Sequence, residues 1–150
     1  MQTLPDGDQI VQVFNTFLEL VVKDVQALID LCTEDAVVEF PYAFDTPRRV
    51  EGKKVIYNYM KDALAPMQNL KFTNIRVYPT TNPDLLWAEV HGEATIAATG
   101  QLYEQDYVIR METREGKIVH YCEYWNPMLT IEGWTSLKDW HQFPTVEDAE

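Results

Sequence analysis

Two cysteines, six glycines and 12 basic against 24 acidic side chains are the scarcities of this 150-residue sequence, and each narrows what it does. Cys32 and Cys122 lie far apart inside apolar-patterned segments, which reads as two free core thiols in a reducing compartment rather than a disulfide. There is no C-x-x-C, no H-E-x-x-H and no His/Cys cluster, so no metal site built by the chain is expected. A Gly-rich phosphate loop is missing too, and no cofactor is implied. The deficit of positive charge gives a net −12 and a pI near 4.5. Binding to a phosphate backbone or an anionic lipid surface needs the opposite balance, so nucleic acid and membrane are poor partners. No run approaches the roughly 18 apolar residues of a membrane span. The opening MQTLPDGDQI lacks the basic flank and apolar stretch of a signal peptide, and a cytoplasmic location is the expectation.

The residues present describe one globular domain with a short, frayed acidic tail. At this length a chain buries about 68–70% of its unfolded surface. After Asp8, residues 9–23 carry Val13, Phe14, Phe17, Leu18 and Val21 at helical spacing. A second, short helix is expected at 24–32 with Asp24 as its N-cap, and a brief strand at 36–40 stopped by Pro41. Residues 47–52 read as a polar loop containing Arg48 and Arg49. A third helix spans 53–65, with Val55, Ile56, Tyr59, Met60 and Ala63 inward, and Pro66 ends it. Beyond residue 70 the period becomes two. Strands are expected at 70–79, 86–98, 101–113 and 117–126, separated by breaker-rich turns. Helices first and an antiparallel meander afterwards make an α+β fold, with three N-terminal helices packed on one face of a strongly curved, mostly antiparallel sheet.

Alternation across the turn at Arg114, Glu115 and Gly116 sorts the last two strands into faces. A turn centred on Glu115 places Tyr107 opposite Glu123, Ile109 opposite Tyr121 and Met111 opposite Val119. Tyr103, Tyr107, Ile109, Met111, Val119, Tyr121, Glu123 and Trp125 then share one side. All but Glu123 are apolar or aromatic, so this is the side that the helices cover. A one-residue slip would put Asp106 in the row in place of Tyr107. A carboxylate in such company is desolvated, which lifts its pKa toward the range useful for proton transfer. The same pattern also fits a structural Glu held by a tyrosine hydroxyl. His91 shares a face with Glu89 and Glu93, a solvated or interface setting. His120 has the wrong parity, and His141 lies in the tail. No Ser or Cys stands in a triad pattern.

The order of elements resembles the nuclear transport factor 2-like superfamily, a cone-shaped fold holding a ligand between helices and sheet. CTEDAVVEFPYA (32–43) is similar to the helix-to-strand entry of ketosteroid isomerases and SnoaL-like polyketide cyclases. NIRVYPTTNPDLLWAEVHGEATI (74–96) is similar to the central hairpin of the phenazine-biosynthesis PhzA/PhzB proteins, and GKIVHYCEYWNP (116–127) to their last strand. The resemblance implies a cavity and a homodimer formed through the outer sheet face. It also implies an acid/base role for Glu123, with Tyr107 as its hydrogen-bond partner and Asp106 as the alternative. Trp125, Tyr121, Phe40, Tyr42, Phe14, Phe17, Tyr57 and Met60 are expected along the cavity wall. Arg48 and Arg49 stand near its mouth, where they are placed to hold an anionic end of a substrate.

The match departs from each relative somewhere. Phe40 precedes Pro41 where ketosteroid isomerases carry an Asp base, and their first-helix Tyr falls near Thr16 or Phe17. Ketosteroid isomerase activity is therefore not expected. The inward His of the SnoaL-like cyclases has no counterpart, and MKDALAPMQNL (60–70) lacks a His. Three functions remain open: a proton-transfer enzyme for a hydrophobic or aromatic metabolite, a non-catalytic carrier using the same cavity, and an assembly module.

Overall fold

The computed structural model describes residues 6–44 and 46–134; the acidic tail and His141 lie outside them. In chain order the elements are α1 (Asp6–Lys23), α2 (Val25–Asp30), β1 (Cys32–Glu39), β2 (Arg49–Glu51), α3 (Lys53–Leu64), β3 (Met67–Pro79), β4 (Leu85–Ile96), β5 (Leu102–Arg114), β6 (Lys117–Tyr124) and α4 (Pro127–Trp134). The helix α1 buries Ile10, Phe14, Phe17, Leu18 and Val21 along a single stripe and leaves its polar side in water. Asp24 caps α2 as expected, its carboxylate accepting from the Ala27 backbone N–H at 3.1 Å.

The six strands form one open sheet in the order β2-β1-β6-β5-β4-β3. It is mixed, because β1 runs parallel to β6 while the other pairs are antiparallel. The inner face of β4 carries Leu86, Ala88, Val90, Ala94 and Ile96, all buried, with Gly92 between Val90 and Ala94. No helix among the described residues is long and apolar enough to cross a membrane. Cys32 and Cys122 are both buried and unpaired, as read from their setting. Burial pushes the Cys32 thiol up to about 11, which keeps it protonated and unreactive.

Five expectations about the elements are corrected. Only α1 and α3 are long helices; α2 has six residues, so the three-helix layer reduces to two helices and a short turn. The chain leaves α2 early because β6 offers a template: the Ile118 N–H donates to the Leu31 carbonyl at 2.8 Å, and Cys32 pairs with Ile118. β1 therefore begins at Cys32 rather than at residue 36. The polar loop expected at 47–52 contains the edge strand β2, which pairs Val50 with Val38 and buries it. Toward the end, α4 follows the strand that had been extended to residue 126. β3 starts three residues earlier than its alternation suggests. Its register breaks around Asn69 and Asn74, both in the left-handed region at φ 55° and 48°, and such bulges hide a strand's period.

The register of β5 on β6 decides which side chains meet. Glu115 and Gly116 have φ of 54° and 77°, which makes the connection a two-residue type I′ turn closed by Arg114 and Lys117. A bulge then slips the pairing once more between Glu112 and Thr113. Ile109, not Tyr107, stands opposite Glu123, and Met111, not Ile109, shares its rung with Tyr121. The turn and the bulge each shift the register by one, so the two shifts together preserve which residues face inward. Ile118 takes the core position expected for Val119.

Candidate functional site

Glu123 lies on the helix-covered face of β6, two residues after Tyr121 and two before Trp125. On one side Phe17 of α1 packs its ring 4.7 Å from that of Tyr121. On the other, Phe40 sits 5.0 Å from Trp125 and 5.2 Å from Tyr59 of α3. On β5, Tyr107 reaches across β4 to meet Phe72 of β3 edge-on at 6.5 Å. The Tyr107 ring rests directly over Gly92 of β4, where a Cβ would come within 2.8 Å of its Cε2. Only glycine leaves room for the ring at that crossing. Tyr107, Glu123, Trp125 and Tyr59 are half-buried, so solvent reaches this part of the inner face, whereas Tyr121, Phe40 and Phe17 are buried.

The Tyr121 hydroxyl donates to Glu123 Oε1 at 2.9 Å. Tyr121, expected as a stacking wall, is thus the direct partner of the carboxyl, and Tyr107 is its neighbour on the same face. Burial pushes the Glu123 carboxyl up to about 7 against the opposing pull of that hydrogen bond. Burial also raises both phenols, and the Glu123 carboxylate raises them further. The phenols therefore stay protonated and remain donors while Glu123 gains and loses its proton near neutrality.

The other expected site residues divide by face. Asp106 points to the outer side of the sheet, with its side chain 86% exposed and 2.8 Å from His91 Nδ1. The alternative slipped register is thereby excluded. Tyr42 is exposed and packs edge-on to Tyr124 at 5.6 Å, away from the inner row. Arg49 is held by Glu39 and Glu51 at 2.7 and 2.6 Å, and Arg48 donates to the Ala43 carbonyl at 3.1 Å. Neither arginine stands in the row of Glu123. Phe14 is completely buried in the core and lines nothing a ligand could touch. Tyr57 and Met60 are partly buried against the same core. Met60, Phe17 and Tyr121 border an apolar cavity of about 10 Å³, closed off by Leu28, Ala36 and Ile56, which has room for one water-sized body.

Alternation also singles out a buried polar residue on β5. Gln105 shares the parity of Tyr103 and Tyr107 and is 1% exposed. Its amide donates to the Tyr103 hydroxyl at 3.0 Å and the Asn126 carbonyl at 2.9 Å, and accepts from the Asn126 N–H at 3.0 Å. Tyr103 Oη in turn reaches Thr130 Oγ1 at 3.1 Å. This lock ties the start of α4 to β5 beside the Glu123 row.

On the outer face, His91, Glu93 and Glu104 bring possible metal-ligating atoms within 4.8 Å of one another. They are already engaged as ion pairs. Lys71 holds Glu93 at 3.0 Å, and the hydrogen bond to Asp106 raises the His91 pKa, favouring the imidazolium that cannot ligate. His120 joins Glu39 and Arg110 at 2.9 Å each, so its parity is outward, as expected.

With this geometry in view, the comparisons with known proteins identify the family. Residues 9–121 match the SnoaL-like domain, and the chain belongs to that family. Over 111 residues it is 40% identical to the uncharacterised protein YesE of Bacillus subtilis, covering 73% of this chain and 76% of that protein. It is 35% identical to the uncharacterised PhzA/B-like protein PA3332 of Pseudomonas aeruginosa, covering 73% and 77%. A crystal structure of a provisionally assigned isomerase from Bacillus subtilis superposes with a TM-score of 0.81 at 34% identity, over 87% of this chain and 96% of that one.

The raised carboxyl makes stability depend on pH with a defined sign. Between its ordinary value of 4.5 and about 7, folded Glu123 holds a proton that the unfolded chain has released. Stability therefore falls as pH rises through that window. Glu123→Gln keeps the acceptor for Tyr121 and removes the ionisation. In urea titrations it should match the parent at pH 4 and exceed it by up to about 3 kcal/mol at pH 8. Parallel losses at both pH values would contradict the assignment.

Proposed function

We propose that this protein is a small-molecule enzyme whose chemistry is proton transfer on a hydrophobic or aromatic metabolite, with Glu123 as the general acid/base. The observation that carries the reading is a half-buried carboxyl raised to about 7, set among ring faces on a side of the sheet that solvent reaches. Such a group is part base and part acid at neutral pH, the condition under which one residue can both take a proton and return it. Tyr121 holds Glu123 Oε1, which leaves Oε2 to meet the substrate. Tyr107, kept neutral by burial, supplies a hydroxyl to an oxygen on which negative charge develops. Trp125 and Phe40 provide an apolar wall that orients the substrate and excludes water.

Isomerisation, cyclisation and condensation all use such a group. The provisional isomerase assignment of the Bacillus subtilis structure favours the first of them. Ketosteroid isomerisation is disfavoured, because Phe40 occupies the place of the Asp base and its ring is engaged with Tyr59 and Trp125. The expected substrate anchor through Arg48 and Arg49 is withdrawn, since both are engaged away from the row.

With a substrate found by metabolite screening, Glu123→Gln should lower kcat by about 10²–10⁴-fold while the fold is retained. The parent's kcat/KM should show an inflection near pH 7. Unchanged turnover would leave a ligand carrier rather than an enzyme, as would stoichiometric binding with no product by mass spectrometry.

The outer sheet face, with Tyr78, Trp87 and Val108 exposed between ion pairs, is proposed as a homodimer contact. Light scattering on a sizing column should return about twice the 17.4 kDa chain mass. A monomer at micromolar concentration would rule the contact out.

A further inference from the structure

The charge balance around Glu123 defines the kind of ligand it faces. Tyr121 donates to Oε1, and among the described residues no side chain donates to Oε2. Nor does any described cation reach the row. Arg49, Lys71, Arg76 and Arg110 are spent on outer-face carboxylates, while Arg114 pairs with Asp35 and Lys53 with Glu34. Arg48 donates to a backbone carbonyl, and Lys23, Lys54, Lys61 and Lys117 are exposed. Among the described residues the carboxyl thus has a donor but no counter-ion. Tyr121 touches it through that hydrogen bond, Tyr107 is close enough to feel its charge, and Trp125 follows two residues on along the same face; Phe17 packs behind Tyr121, and Phe40 against Trp125.

Three ligand charges respond differently to such a site. An anion would sit beside an uncompensated carboxylate in a poorly hydrated setting, where like charges repel strongly. A neutral ligand would use the apolar walls and leave the carboxylate without a partner. A cation supplies the missing counter-charge and is attracted by the negative faces of Trp and Tyr rings. The net charge of −12 draws cations toward the molecule as a whole.

We propose that the ligand held at Glu123 is an organic cation, with a protonated or quaternary amine seated between the carboxylate and the surrounding ring faces. This rests on Glu123 lining the ligand site, and it adds to the proton-transfer reading the charge class of the substrate.

Choline and its neutral isostere 3,3-dimethyl-1-butanol, with 3,3-dimethylbutanoate as the anion, separate the cases by calorimetric titration of the full chain at pH 6 and 8. The titratable groups facing Glu123 are phenols, Tyr121 on its own strand, Tyr107 and Tyr103 on β5, and Tyr59 on α3 by way of Phe40. Among the described residues, no His, Lys, Arg or second carboxylate faces it. The pH response therefore reports Glu123. Choline should bind at least about tenfold tighter than the isostere at pH 8, because it alone uses the charge. Its affinity should fall about tenfold at pH 6, in step with the ionised fraction of a group titrating near 7.

Glu123→Gln should bring choline to the level of the isostere and abolish the pH dependence, while isostere binding persists as evidence that the site is folded. Equal binding of choline and isostere, tighter binding of the butanoate, or no choline binding at about 10 mM would each overturn the proposal. The two readings fail separately. Neutral-ligand turnover lost in Glu123→Gln refutes the cation and leaves proton transfer standing. Choline binding lost in a variant with unimpaired turnover does the reverse.

Discussion

A carboxyl group placed among aromatic rings is costly to ionise, and that cost shapes the inner face of this protein. Glu123 has one hydrogen-bond donor among the described residues, the Tyr121 hydroxyl, and no facing cation to offset its charge. Its proton affinity rises to near neutrality as a result. Burial makes the neighbouring phenols harder to ionise and the carboxylate's charge adds to it, so that Tyr121 and Tyr107 stay neutral donors across the same range. Burial of the whole inner row therefore produces a titrating acid and its protonated companions.

The backbone secures that placement through the β5–β6 hairpin. A type I′ turn at Glu115 and Gly116 and a bulge beside Thr113 each displace the pairing by one residue. Either alone would send Glu123 to the outer face, where Glu39, Glu51, Glu89 and Glu93 are matched by Arg49, Arg76, Lys71 and His120. Together they keep it inward. Gly92 adds a steric requirement, because its missing side chain is the space occupied by Tyr107. Gln105 and Asn126 then fix where the chain turns from β6 toward α4.

Much of this could be read from the residues before any coordinates. The α1 stripe, the Asp24 cap, the strands of the meander and the inward side of Glu123 follow from periodicities of 3.6 and two, which survive wherever an element has one buried face. The family resemblance was legible in the same way and is met by the SnoaL-like match. The partner of Glu123 was not legible. A turn centred on Glu115 and a two-residue turn followed by a bulge give the same parity but different rungs, and nothing local distinguishes them. Arg48 and Arg49 were misplaced because residues 49–51 are too few to show a strand period, so their pairing with β1 stayed hidden. Tyr42 was misplaced because a loop after Pro41 has no period from which to read a face.

The account stands on the ionisation of one side chain. Carbon-13 labelling of glutamate carboxyl groups, with Glu123→Gln to assign the resonance, reads it directly in an NMR pH titration. The predicted result is a Glu123 midpoint near 7, separated from the exposed glutamates. A midpoint near 4.5 would mean a solvated carboxylate with no special capacity for proton transfer, and would contradict the account.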